Sequence, residues 1–454
     1  MTDQAGNGDA RETVRRGLAL LVAGSTFMEI LDGTVIAPAA PHIAADFGVP
    51  AVAVNVVITA YVLTLASAGC AAANGLTTLI ALRVVQGVGG AMMVPIGRLV
   101  VLRTTAKTDL IRAIAYLTWP ALIAPVLAPA LGGLLSTYAT WRWIFLVNLP
   151  LGMAGLLLAR RLVPNVRAPQ RPPLDGRGFA LTAAGVAALV IGLEGIGSAT
   201  PDPLAASAGL ALAFGALTAA VVHLLRAPAP LLDLRVLRIA TYRLTAFGGT
   251  AFRAVVTAIP FLLPLLFQLG FGWTAARSGL MVVPLFLGNV AIKPATTPLM
   301  RRFGIRPVLL ATVVASAAGL VGMAALGPDT PLLILLTLLA ASGVVRSIGF
   351  SAYNSVAFAD VPGERMTSAN TLLSTLQELG AGLGVAVGAL LVQLGGPVAA
   401  AAGLGWGTGP FRVAFLLLAA LLVVPLVEAA LLSRAAGSAV TGCVATRGTV
   451  KVGP

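Results

Sequence analysis

Two carboxylates lie close together inside the first long apolar segment of the chain. Glu29 and Asp32 are three residues apart, so a helix would place them on one face. Two ionised carboxylates at this separation repel each other, and we therefore expect the pair to hold one proton near neutral pH. Such a pair suits proton transfer. The alternative is that Asp32 caps or pairs with a neighbouring helix and that Glu29 lies at the lipid edge.

Cationic side chains also lie within apolar segments, where a charge facing lipid is costly. Arg83 belongs to an early segment, and Arg253, Lys293 and Arg346 belong to later ones. An interior with spare positive charge suits anionic or zwitterionic groups, or the cations brace neighbouring helices through backbone carbonyls. Together with nearby polar side chains, the residues assigned to a substrate pathway are Gln86, Arg253, Lys293, Arg346, Asn354 and Glu378.

The composition indicates the elements that hold these residues. Of the 454 residues, 58% are hydrophobic and 10% are charged, whereas a soluble domain is about 45–50% apolar and about 25% charged. The apolar runs are long and continuous, which excludes a membrane β-barrel with its alternating pattern. The fold class is therefore an all-α polytopic membrane protein.

The net charge of +14 does not indicate a nucleic-acid partner. The basic residues form small groups between apolar runs, as the positive-inside rule predicts for cytoplasmic loops. The N-terminus, with Arg11, Arg15 and Arg16, is accordingly predicted to be cytoplasmic, and the partner surface is the lipid bilayer.

Thirteen apolar windows are long enough to be helical spans. They lie near residues 18–40, 53–73, 77–102, 113–136, 142–163, 178–197, 205–226, 244–269, 278–297, 307–326, 330–357, 368–394 and 411–433. Turn-rich linkers predict a cytoplasmic tail (1–17), a front bundle (18–163), an inserted helix pair with its linkers (164–243), a rear bundle (244–433) and a disordered cytoplasmic tail (434–454).

The charge pattern is inconsistent with the span count in the front bundle. The basic groups at the N-terminus and around Arg98 both belong in the cytoplasm, so an even number of crossings should separate them. The windows predict three crossings between these two groups. The stretch 50–78 is too short to add a further crossing, since two spans need about 40 residues. We therefore predict that the region near residues 66–76 is shortened.

Enzymatic motifs are absent from the sequence. The chain has two histidines, His42 and His223, and two cysteines, Cys70 and Cys443. No metal-binding or nucleophile motif includes them. We expect no catalytic residue, no metal and no cofactor other than a proton gradient.

Small residues and prolines mark positions of close helix packing or bending. Gly380, Gly384 and Gly388 recur every four residues, a spacing that lets two helix backbones approach each other. Pro260 and Pro264 are expected to break or bend the window 244–269. Broken helices near mid-membrane are typical of substrate sites in transporters.

These motifs together resemble the major facilitator superfamily, and within it the fourteen-helix drug:proton antiporter branch (EmrB/QacA-like). The resemblance extends from about residue 18 to residue 433. It rests on LDGTVIAPAAPHI (Leu31–Ile43), VVITAYVLTLA (Val56–Ala66), LRVVQGVGGAMMVP (Leu82–Pro95), APVLAPALGG (Ala124–Gly133) and WRWIFLVNLP (Trp141–Pro150).

The resemblance implies a fold and a mechanism. The fold would have two helical bundles with an inserted helix pair, about 13 helices in this chain. The protein would export amphipathic small molecules or drugs, as a monomer in the bacterial cytoplasmic membrane, in exchange for protons. Asp32 and Glu29 would couple the protons, and Arg83 would modulate the pKa of Asp32.

The chain departs from the family pattern in two places. Pro129, Gly132 and Gly133 keep the antiporter packing motif, but Ala124 and Ala128 replace its usual glycines. The charged loop between the second and third helices is missing, and a faint copy survives only as PLMRRFGIRP (Pro298–Pro307). Two alternatives therefore stay open: a metabolite transporter of the same fold, or a transport-defective remnant.

Overall fold

The computed structural model describes residues 64–87, 110–150, 175–197, 202–405 and 407–433. Within these ranges the secondary structure consists of helices and turns, without a strand. Large apolar side chains lie on the outside: Leu204, Phe214 and Leu333 are 79%, 76% and 73% exposed. Such a surface is solvated by lipid rather than by water. The predicted all-α membrane fold is confirmed.

The chain forms two compact units. The first unit comprises Met1–Arg171 and Leu263–Phe286. Its described helices are α1 (Thr64–Ala71), α2 (Leu76–Gly87), α3 (Leu110–Tyr138) and α4 (Arg142–Leu146), together with the end of α8 and most of α9.

The second unit comprises Pro172–Leu262 and Leu287–Pro454. Its helices are α5 (Gly176–Gly197), α6 (Pro203–Arg226), α7 (Ala240–Leu244), α8 (Thr250–Leu265), the end of α9 (Ala275–Ala291), α10 (Lys293–Phe303), α11 (Ile305–Ala324), α12 (Leu332–Ala357), α13 (Met366–Ala401), α14 (Gly409–Leu421) and α15 (Val423–Leu431). Turns of π-helix at Thr245–Gly249 and Leu266–Gly270 flank α8.

The described residues contain seven helical segments long and apolar enough to cross a membrane. Helices α9 and α10 pass the same test only together, as a pair bent by 52° at Ile292, which gives up to eight candidate spans. These candidates correspond to the eight windows predicted between residues 178 and 433. The bend places Lys293 at the first position of α10.

The connection between α1 and α2 is a short turn. Helix α1 ends at Ala71 and α2 begins at Leu76. The turn is held by Ala72 N, which donates to Ala68 O at 3.1 Å, and by Ala73 N, which donates to Cys70 O at 3.2 Å. There is no room here for a charged loop, in agreement with the predicted shortening near residues 66–76.

Of the break or bend predicted at Pro260 and Pro264, the break is wrong. Helix α8 runs through both prolines, and the helical register changes only beyond them, at Leu266–Gly270. Pro260 has no N–H to donate to the carbonyl of Val256, four residues before it, and this carbonyl accepts instead from Arg346 NH1 at 3.2 Å. In the π-helical turn, Gln268 Nε2 donates to the carbonyl of Pro264 at 3.3 Å.

Three glycines of α13 form a ridge that packs on α8. A Cβ added at Gly380 would lie 3.0 Å from Thr250 O, one at Gly388 would lie 3.1 Å from Ala258 Cβ, and one at Gly384 would overlap Ala254 O. The small-residue spacing therefore marks a helix contact, as predicted. It fixes α13 against the helix that carries Arg253.

One carboxylate, that of Asp175, links the inserted helix pair, α5 and α6, to the segment that follows the pair. Asp175 Oδ1 accepts from Gly178 N at 2.8 Å and lies 2.7 Å from His223 Nε2, and its Oδ2 accepts from Leu231 N at 3.1 Å. The hydrogen bond from Gly178 N, followed by that with His223, holds the pKa of Asp175 below its usual value. Asp175 thus ties the start of α5 to the end of α6 and to the next linker.

These hydrogen bonds of Asp175 predict a pH-dependent stability. The folded state lowers the pKa of Asp175, so the ionised carboxylate stabilises the fold. This stabilisation is fully present above the unfolded pKa of about 3.9 and is lost as pH falls through the folded pKa. Asp175→Asn should lower the thermal unfolding midpoint at neutral pH. The difference in midpoint between the variant and the wild type should shrink when the pH is below about 3.9. Asp329→Asn, in an exposed loop, is the control. An equal shift of the unfolding midpoint in both variants would contradict the stabilising role of Asp175.

Candidate functional site

A buried polar cluster lies where α1 and α2 meet. The side chain of Gln86 is at its centre: Oε1 accepts from Arg83 NH1 at 2.7 Å, and Nε2 donates to Ser67 Oγ at 2.7 Å. The thiol of Cys70 lies 3.6 Å from the same Oε1. Arg83 is 0% exposed and Gln86 is 1% exposed. The short turn brings the two helices together, so that α1 supplies partners for the charged face of α2.

Aromatic side chains of the WRWIFLVNLP segment cover this cluster. The guanidinium carbon of Arg83 lies 5.6 Å from the centre of the Phe145 ring. Trp141 packs edge-on against Phe145, with ring centres 6.0 Å apart. Arg142 stacks on Trp141 at 4.5 Å and donates to Ala73 O at 3.3 Å, which anchors α4 beside the turn. A desolvated cation gains from an aromatic face, so this segment stabilises the buried charge of Arg83.

The cluster joins residues that the sequence assigned to different roles. Arg83 was predicted to act in proton coupling and Gln86 in the substrate pathway, and the structure places them in one hydrogen bond. Their spacing of three residues in one helix is the signal that could have paired them. Phe145 carried no such signal, because its contact with Arg83 depends on packing. Glu29 and Asp32 lie outside the described residues.

The antiporter-motif residues of α3 pack on α9 within the first unit. A Cβ added at Gly133 would overlap Ala275 O, and one added at Gly279 would overlap Pro129 O. Backbones approach this closely only where side chains are missing. The two glycines therefore let α3 and α9 meet along one line.

The departures from the motif are accommodated inside the protein. Pro129, Gly132 and Gly133 are all buried. Ala124 and Ala128 are each 0% exposed, so both extra methyl groups lie in the core. The close backbone contact with α9 falls at Pro129 and Gly133 instead.

A cationic group in the second unit surrounds Phe350. The guanidinium carbons of Arg253 and Arg346 each lie 5.2 Å from the centre of the Phe350 ring. Arg253 Nε donates to Gln377 O at 2.8 Å, and Arg346 NH1 donates to Val256 O at 3.2 Å. These contacts join α8, α12 and α13 around two positive charges.

Lys293 adds a third cation at the bend between α9 and α10. Its Nζ lies 3.3 Å from Ser351 Oγ, one residue from Phe350. Arg346 interacts electrostatically with both Lys293 and Arg253. The three cations predicted for the substrate pathway are thus neighbours in the folded protein.

The polar residues predicted for the same pathway lie beside Arg253. Glu378 Oε1 is 3.6 Å from Arg253 NH2, and the Glu378 side chain is 71% exposed. Gln377 Nε2 donates to Asn354 Oδ1 at 2.6 Å. Among the predicted pathway residues, Gln86 alone lies in the other unit.

A cavity lies between α8, α12 and α13, and we refer to it as the rear cavity. Its volume is about 10 Å³, which leaves room for about one water molecule. Arg253 and Phe350 line it, with the polar side chains of Thr245, Thr250, Tyr353, Asn354 and Gln377. Sequence reasoning missed Phe350, Tyr353 and Gln377, because aromatic and amide residues in an apolar window carry no signal of what they face.

Metal chemistry has no visible site in the part of the chain that the structure describes. No group of three His, Cys, Asp or Glu side chains there could hold a metal ion. The chemical features that remain are a buried arginine cluster in one unit and a cation-lined cavity in the other.

Comparison with known proteins gives a family and close relatives. The Major Facilitator Superfamily matches residues 56–385. A protein of Cronobacter sakazakii named for multidrug resistance, MdtD, is 36% identical over 441 residues, which is 89% of this chain and 92% of the relative. Its namesake from Escherichia coli is 33% identical over 438 residues, with the same coverage.

Solved structures share the fold at lower identity. A bacterial homologue of the human lysosomal transporter Spinster, inward-facing and occupied, gives a TM-score of 0.58 at 15% identity, covering 93% of this chain and 96% of that one. An auto-inhibited peptide transporter of the POT family also gives 0.58, at 14% identity and with 93% and 89% coverage. The shared fold is a helical transporter fold.

Proposed function

The chain belongs to the Major Facilitator Superfamily, and we propose that it is a proton-coupled antiporter that exports amphipathic small molecules by alternating access. It is a multi-pass membrane protein of the multidrug transporter type. We place it in the bacterial cytoplasmic membrane as a monomer, with its N-terminus in the cytoplasm. The boundaries 18–163, 164–243 and 244–433 for bundle, inserted pair and bundle are part of the proposal.

The main support for this function is the buried Arg83 cluster. It lies in a chain that is similar over most of its length to proteins named for multidrug resistance. A cation that is fully removed from water favours the ionised form of any carboxylate that approaches it. If Arg83 nears and leaves Asp32 during the transport cycle, the proton affinity of Asp32 changes between the two states. Coupling then needs no cofactor other than the proton gradient, and Glu29 serves as the second proton acceptor.

A second candidate function is supported by the short turn between α1 and α2. A protein that lacks the charged loop of its family could fold and bind ligands without completing the transport cycle. This candidate, a transport-defective remnant, predicts ligand binding without movement of the ligand across a membrane.

Reconstitution distinguishes these functions. In proteoliposomes with an acidic lumen, an antiporter drives its substrate into the lumen as protons leave. We expect at least one dye, from a panel of non-titrating amphipathic dyes of both charges, to accumulate and to be released when a protonophore collapses the gradient. Empty liposomes are the control. If the gradient drives none of the dyes but drives uptake or release of a metabolite, the metabolite transporter is correct; binding without any transport supports the remnant.

A further inference from the structure

We propose that Glu428 is a proton-binding residue of the second unit, separate from the carboxylates proposed for coupling in the first unit. Glu428 lies in α15, near the end of the last candidate span, Gly409–Leu431. An ionisable side chain inside such a span is costly, and its position calls for a functional explanation. Proton binding by Glu428 can be measured whether or not the protein exports drugs.

The first support is the burial of one carboxyl oxygen. Oε2 of Glu428 is buried and lies against Gly248, in the π-helical turn Thr245–Gly249. The N–H of Gly248 is the backbone donor that the carboxyl group approaches, but Oε2 has no hydrogen-bond partner of normal geometry among the described residues. A buried carboxylate oxygen without a donor is costly. A bound proton removes the charge and gives the group a donor of its own.

The second support is a neutral polar neighbour, Tyr353 on α12. Its hydroxyl group is buried without a hydrogen-bond partner among the described residues, and Tyr353 is 3% exposed. Tyr353 interacts electrostatically with Glu428. Because a phenol is both donor and acceptor, it can serve as a partner for the carboxyl group in either protonation state. It supplies no positive charge that would keep Glu428 ionised.

The cations near α15 form no ion pair with Glu428 within the described ranges. Arg243 interacts with it electrostatically but is exposed, so solvent screens its charge. Arg306, on α11, donates instead to Ala430 O at 2.6 Å. Arg412, on α14, lies sixteen residues before Glu428, roughly 24 Å along the span at 1.5 Å per residue. Burial therefore favours the neutral acid and Arg243 favours the carboxylate, a balance that lets the group gain and lose a proton.

The third support is the π-helical turn itself, since such turns are frequent at functional sites. Its last two residues are glycines. A Cβ added at Gly249 would lie 3.0 Å from Tyr353 Cδ1, and one added at Gly248 would overlap Glu428 Oε2. Thr245 Oγ1 donates to Tyr353 O at 3.2 Å, which ties the turn to α12. The turn therefore brings Glu428 and Tyr353 against adjacent positions of one bare stretch of backbone.

A purely structural role for Glu428 makes a different prediction. Its carboxylate could stay ionised and serve only to attract Arg243 to the end of the last span. In that case, Glu428→Gln would lower stability, and no carboxyl group at this position would change its protonation between mildly acidic and mildly alkaline solution.

The test is infrared difference spectroscopy of the full-length protein in lipid nanodiscs, without dye and without a gradient. Spectra are compared at about pH 6 and about pH 8, where Asp and Glu side chains of ordinary pKa, about 3.9 and about 4.3, are ionised. A carboxyl group that loses its proton in this window loses its C=O stretching band. We expect one such band of the wild type to be absent from Glu428→Gln. Asp32→Asn should retain this band, which distinguishes Glu428 from the carboxylate of the first unit.

Gly248→Ala tests the geometry without removing the carboxyl group. The added Cβ would overlap Glu428 Oε2, the end of a flexible side chain that can turn away. Alanine also suits a helix better than glycine, so the fold should tolerate the change. The displaced carboxyl group leaves its site, and its band should shift in frequency or disappear. Gly319→Ala, whose Cβ would meet no atom within 4 Å, is the matched control and should keep the band. If Glu428→Gln fails to fold, as seen in its thermal unfolding, Gly248→Ala decides the result.

Glu428 is not a proton-binding residue if the wild type shows no such band, if Glu428→Gln keeps it, or if Gly248→Ala leaves its frequency and intensity unchanged. Failure of the export function looks different. The band of Glu428 would then still change between the two pH values, but a proton gradient would move no dye in proteoliposomes.

Discussion

Replacement of Asp32 by asparagine is expected to abolish proton-driven export while leaving ligand binding intact. Asparagine has nearly the shape of aspartate but cannot take up or release a proton in this range of pH. Removal of a positioned proton-transfer group costs at least about a hundredfold in rate. Dye accumulation driven by the pH gradient in proteoliposomes measures this loss.

The same variant should still exchange labelled dye for unlabelled dye without a gradient. This exchange requires binding and alternating access but no net proton movement, so it separates a coupling defect from a folding defect. Asp329→Asn, in an exposed loop of the second unit, is the matched control and should retain full proton-driven transport. Asp32 is not the coupling carboxylate if Asp32→Asn accumulates dye as the wild type does.

Gly384→Ala is expected to destabilise the second unit by about 1–3 kcal/mol, the range for an overpacked contact. The added Cβ would overlap the carbonyl oxygen of Ala254, an atom of the helix backbone that cannot rotate away. Helices α8 and α13 must therefore move apart, which also disturbs the bond from Arg253 to the carbonyl of Gln377. Thermal unfolding in detergent measures the loss of stability.

A glycine without neighbours is the control for this substitution. A Cβ added at Gly319, in α11, meets no atom within 4 Å. Alanine is favoured over glycine in a helix by roughly 1 kcal/mol, so Gly319→Ala should be neutral or stabilising. The opposite signs of the two substitutions identify the close helix contact; equal effects would show that helix propensity alone acts at Gly384.

The apolar pattern was sufficient to predict the candidate spans after residue 178. In lipid, each span must satisfy its own backbone hydrogen bonds, so its length and apolar character are determined locally. The eight windows after residue 178 therefore correspond to observed spans, and the spacing of Gly380, Gly384 and Gly388 correctly marked a packing face. The same local reasoning wrongly allowed a break at Pro260 and Pro264, where the helix continues through both prolines.

The chemical environment of the candidate residues was decided by tertiary structure. The sequence identified Arg253, Lys293 and Arg346 as unusual because a charge in an apolar segment is costly wherever it faces. It did not show that these residues, up to 93 positions apart, share one neighbourhood, since that depends on which helix faces pack together.

Phe350 and the rear cavity illustrate this difference. An aromatic residue in an apolar window is compatible with lipid, core or ligand, and only packing places it between two guanidinium groups. Likewise, Gln86 gained its partner Ser67 through the short turn between α1 and α2. The sequence by itself determined that this is a helical membrane protein with buried charges. The tertiary structure alone decided what those charges face, because contacts between distant segments follow from packing rather than from local pattern.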